Sequence, residues 1–100
     1  MSQNIRPKVA ILLKEISTLL SENEREERWL KSFETLFKAA EGGDKDLRYK
    51  IKRMYGGMGS FNDLVLMSSE YKPDIEGNEK LDELRHQLYE LITSNSEDSF

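Results

Sequence analysis

His86 is the only imidazole in the chain, and with Glu83 it forms the spacing Glu83-Leu84-Arg85-His86. On a helix, Glu-x-x-His turns both groups to one side, the arrangement from which paired-carboxylate metal bundles are built. Such a centre needs a second copy of the pair and further inward carboxylates, whereas His86 falls with Glu79, Glu83 and Glu90 on the side opposite the leucines of its own helix. With no cysteine and only one histidine, a complete hydrolytic triad or a structural zinc site within one chain is disfavoured. No metal, cofactor or catalytic residue is therefore expected. A small enzyme would have to gather Asp63, Glu83 and His86, or another polar set, into one pocket.

The segment Tyr55-Gly56-Gly57-Met58-Gly59-Ser60-Phe61-Asn62-Asp63-Leu64-Val65-Leu66 holds three of the six glycines. Glycine loses the most backbone entropy on folding, so three in four positions indicate a shaped turn or a close backbone approach. The lysine, the four-residue gap and the preceding strand of a phosphate loop are missing, and the spacing is not that of a dinucleotide fingerprint. The amides could form an anion-binding nest, but a helix stop and restart needs the same residues and is the favoured reading. Asn62 and Asp63 are either exposed recognition groups or groups that satisfy the turn.

Charge is divided unevenly. Residues 1–55 carry 12 Lys and Arg against 9 Asp and Glu, or +3, and residues 56–100 carry 3 against 10, or −7, giving the net −4. Lys45, Arg48, Lys50, Lys52 and Arg53, interleaved with Tyr49, could touch phosphates, but acidic neighbours and local ion pairing explain them more simply. Direct nucleic-acid binding is the lesser reading. At about 100° per residue, Glu79, Glu83, His86 and Glu90 share one side of a helix, with Glu76 near its start. That stripe is either a solubilising surface or a site for a basic partner.

These groups must be positioned by helices. Pro7 suits a first turn, and Val9, Leu12, Leu13, Ile16, Leu19 and Leu20 follow the three-and-four spacing of one helical face. After Ser21-Glu22-Asn23, the spacing recurs in Trp29, Leu30, Phe33, Leu36, Phe37 and Ala40, ending at Gly42-Gly43. Asp44 can cap a third, shorter helix through Leu47, Ile51, Met54 and Tyr55. Leu64-Val65-Leu66 is compatible with an extended run, but Ser60-x-x-Asp63 favours a short extra helix over Phe61 to Met67. Residues 68–77 read as a loop, Asn78 as the cap of a last helix, and Leu81, Leu84, Leu88, Leu91 and Ile92 as its apolar side. The expected fold is all-α, an irregular bundle of four main helices in one domain over residues 1–93, with residues 94–100 a frayed acidic tail.

One hundred residues suit a single core. The absence of cysteine and of an exported-looking leader indicates the cytoplasm, and no stretch is apolar enough to span a membrane.

Across Tyr55 to Leu66 the chain resembles an uncharacterised family of small bacterial helical domains, a resemblance running from the first helix through Asn78-Glu79-Lys80-Leu81-Asp82-Glu83-Leu84. It implies no established activity. The small, acidic, helical character also resembles, in architecture, immunity proteins of contact-dependent growth inhibition and related bacterial toxin systems. The function this implies is a non-catalytic cytoplasmic protein that neutralises a cognate toxin, with a basic nuclease domain as one candidate, by obstructing its substrate-binding surface. Glu79, Glu83 and Glu90 are the electrostatic contact candidates; Phe61, Asn62 and Asp63 are secondary ones, on condition that the glycine turn presents them outward. The alternatives are a protein-interaction or oligomerisation module and, below it, a small enzyme.

Overall fold

The computed structural model describes residues 5–23, 26–56, 60–68 and 70–94, and the chain is an all-α bundle. Gly57, Gly59 and the tail beyond Ser94 lie outside the described residues. Helix α1, Arg6–Ser21, carries proline in its first turn and buries Val9, Leu13, Ile16 and Leu20 completely. Helix α2, Glu27–Glu41, packs most extensively on α1 through Phe33, Leu36 and Ala40. Its end is set by Gly43, whose φ of 76° is a left-handed conformation that glycine adopts without a Cβ penalty. From there the Asp44 and Gly43 amides donate back to the Ala39 and Ala40 carbonyls, closing a Schellman turn. The Arg6 guanidinium of α1 covers the same end by donating to the Ala40 and Asp44 carbonyls.

Helix α3, Leu47–Arg53, buries Leu47 and Ile51. It is tied to the last turn of helix α4, Ile75–Ser94, by Arg48, which donates to the Ile92 carbonyl at 2.7 Å. Helix α4 faces the core with Leu81, Leu84, Leu88 and Ile92.

Between α3 and α4 the chain departs from the sequence expectation. A single 3-10 turn, Phe61–Asp63, replaces the expected helix over Phe61 to Met67, and Leu64 is already extended at φ −69°, ψ 125°. Ser60 makes no side-chain capping bond. Instead the segment alternates, with Leu64 and Leu66 buried and Val65 exposed, which is the period of a strand. Met67 pairs with Pro73 in an antiparallel bridge, bounded by Ser68 N–H to Lys72 C=O at 2.6 Å and Asp74 N–H to Leu66 C=O at 2.9 Å. Pro73 therefore sits at a non-hydrogen-bonded position, where its missing N–H costs no ladder bond.

Asn78 is also not the cap. Helix α4 begins at Ile75, and the Asp74 carboxylate accepts the Gly77 N–H at 3.0 Å as the cap of its first turn. Asp74 C=O is taken by the Asn78 N–H of the new helix and cannot reciprocate to Leu66. The Asn78 side chain supplies what is lost: its oxygen accepts Leu66 N–H at 2.7 Å and its amide donates to Leu66 C=O at 2.9 Å. One amide thus stands in for a strand partner.

Candidate functional site

Phe61 is fully buried, so the condition placed on it as a contact residue fails. Its ring centroid lies 4.7 Å from that of Phe33, 5.5 Å from Tyr55 and 5.7 Å from Trp29. A large ring among three others is core packing, which the position beside a glycine turn does not reveal. Arg85 of α4 lies over the Phe61 ring and donates to the Phe61, Asn62 and Leu64 carbonyls, and its second nitrogen pairs with Asp82. The Tyr55 hydroxyl donates to the Arg85 carbonyl at 2.7 Å. Asn62 is exposed, yet its amide donates to the Tyr55 carbonyl at 3.0 Å. Asp63 is exposed beside it, its own N–H bonded to the Ser60 carbonyl.

Glu79, Glu83 and Glu90 are exposed and share the side of α4 opposite its buried leucines, with Glu76 exposed at the first turn. Glu83 accepts from Gln87 at 3.2 Å, and His86 Nε2 lies 3.2 Å from a Glu90 oxygen, both on the solvent side. Among the described residues no three histidine or acidic side chains gather as a metal-holding group.

Two open grooves flank this face. One, about 490 Å³, lies between α3 and α4 and is lined by Tyr55, Asn62, Asp82, Arg85, His86 and Tyr89, with Lys52 and Gly56 at its edge. Asp63 and Glu83 are not in that lining, so this groove does not assemble the trio Asp63, Glu83 and His86. The other, about 440 Å³, runs between α1 and α4 and brings Glu90 beside Ile11, Leu12, Glu15 and Leu91. Ile11 escaped the sequence reading because it lies off the buried row of α1.

The basic group on α3 is largely engaged within the molecule. Arg48 binds the α4 terminus, Lys50 pairs with Asp44, and Arg53 lies 5.7 Å from the Tyr49 ring centre. The hydrogen bond from Lys50, the Asp46 N–H and the Lys50 charge hold the Asp44 carboxyl below its ordinary range. No helix among the described residues is long and apolar enough to cross a membrane.

No curated protein and no solved structure gives a significant match to the chain. Residues 22–74, which contain α2, α3, the 3-10 turn and the extended segment, match a family described as Domain of unknown function (DUF6966). The span is narrower than the one the glycine-segment resemblance implied, since the whole of α1 and the whole of α4 lie outside it. With more than half of its length matched, the chain belongs to the DUF6966 family.

Proposed function

We propose that this chain is a non-catalytic immunity protein of the bacterial cytoplasm. It binds a cognate toxin, of which a basic nuclease domain is the type its charge suits, and blocks the toxin's substrate-binding surface. The observation that carries this reading is the exposed row Glu79, Glu83 and Glu90 on the outer side of a 20-residue helix. That helix is held in place by four buried side chains beneath the row. A nuclease presents basic residues to its phosphate substrate, and a rigid acidic row opposes such a surface without having to order itself first.

Expression with the neighbouring open reading frames, followed by capture from cell extract, tests the proposal. A tight partner whose growth-inhibiting activity the chain suppresses is the expected result. Capture of only itself or of a nontoxic partner overturns it in favour of an assembly module, a reading favoured by Ile11, 58% exposed on the α1–α4 groove.

A further inference from the structure

Among the described residues, three of the six large apolar side chains that remain exposed fall between residues 65 and 75: Val65 at 53%, Tyr71 at 77% and Ile75 at 71%. Their distribution follows from the backbone. Met67 faces Pro73 across the bridge, and the next position on the face of Met67 is Val65, while Leu64 and Leu66 turn into the core; Ile75, the first residue of α4, is exposed two residues beyond Pro73. We infer that the outward face formed by Val65, Met67, Pro73 and Ile75 is the apolar anchor for a basic protein partner, whose Lys and Arg side chains meet Glu76 and Glu79. This rests on the reading of the chain as a binder of a basic toxin, and locates the centre of that contact at the start of α4.

Three observations support it. The face is held before any partner arrives, since both sides of the Asn78 amide and the two bonds bracketing Met67–Pro73 fix its backbone. It adjoins the acidic row, because Ile75 opens α4 and Glu76 and Glu79 follow it within about one turn. Residues 70–80 carry Glu70, Asp74, Glu76 and Glu79 against Lys72 and Lys80, a net charge of −2. A second copy docked two-fold on this face would set like charges against one another, and an anionic membrane would be repelled, so the charge selects a basic protein.

The test titrates the isotope-labelled full chain with a synthetic amphipathic helix bearing leucine on one face and lysine on the other. Saturable shifts at the amides of Val65, Met67, Ile75, Glu76 and Glu79 are expected. Binding should weaken by about tenfold or more when Val65→Ser and Ile75→Ser are combined, with an unchanged thermal midpoint. Absence of binding, shifts confined to the groove around Ile11, or self-association that Ile75→Ser abolishes would each overturn the anchor. In cells carrying a captured toxin, protection that survives the double variant overturns the anchor and leaves the immunity reading. Docking of the peptide on this face, when co-expression yields no toxin, overturns the immunity reading and leaves the anchor.

Discussion

Tyr55 makes the stability of the fold sensitive to alkaline pH through one hydroxyl. Its hydroxyl donates to the Arg85 carbonyl, and burial pushes its pKa well above the ordinary 10.0, because the phenolate would be both desolvated and unable to donate. The unfolded chain therefore releases this proton first. The contribution is fully present below the unfolded pKa and is lost as pH rises through the folded one. Urea midpoints measured on both sides of pH ~10 should fall more steeply for the native protein than for Tyr55→Phe, which at neutral pH should cost about 1 kcal/mol. Parallel pH profiles would exclude a special role for this phenol. Asn78 makes a comparable point about satisfaction of the backbone. Leu66 is 1% exposed and its N–H has the Asn78 oxygen as acceptor, so Asn78→Ala strands a buried donor. The expected loss is about 1–3 kcal/mol in chemical denaturation, where an ordinary exposed helix position would lose a few tenths.

At the scale of the element, the start of α4 depends on two residues that conflict if either grows. A Cβ at Gly77 would lie 2.4 Å from a carboxylate oxygen of Asp74, the group that caps the helix. Gly77→Ala gains about 1 kcal/mol of helix propensity and displaces a cap of about the same worth, so its net effect on stability should be small. The diagnostic is the cycle: Asp74→Ala should cost about 1 kcal/mol in the native background and almost nothing in Gly77→Ala. Equal costs in both would mean that the cap survives the added methyl. This region also shows what sequence can convey. The interiors of α1, α2 and α4 were legible because each buried row repeats along one face, and the α2 stop was legible at Gly42-Gly43. The start of α4 was not, since Asp74 and Asn78 are both cap-forming types four residues apart. The extended course of Leu64 to Met67 depends on partners distant in sequence: Asn78 lies 12 residues from Leu66, and Arg85 lies 21 from Leu64. Local periodicity contains neither contact.

For the whole molecule, the separation of charge means that binding and folding can be perturbed independently. The acidic row was readable from spacing alone because residues opposite a leucine row must face water, and Glu79, Glu83 and Glu90 do. Phe61 was misplaced because a residue beside a glycine turn has no periodic context to mark it as core. Replacing the three glutamates by lysine changes six units of charge and takes the net from −4 to +2. Each is exposed, and Glu83 and Glu90 engage neighbours only on the surface of α4, so the thermal midpoint of the triple variant should stay close to that of the native chain. A basic partner would feel the change at once: its affinity should drop and the remaining binding should depend less on salt, because the steering field has been reversed. Phe61→Ala supplies the contrasting case, expected to cost about 3–5 kcal/mol of stability through the void left among Trp29, Phe33 and Tyr55. If the triple charge reversal left both affinity and salt dependence unchanged, the outer side of α4 would be a solubilising surface, and the partner would have to be sought at the grooves on either side of it.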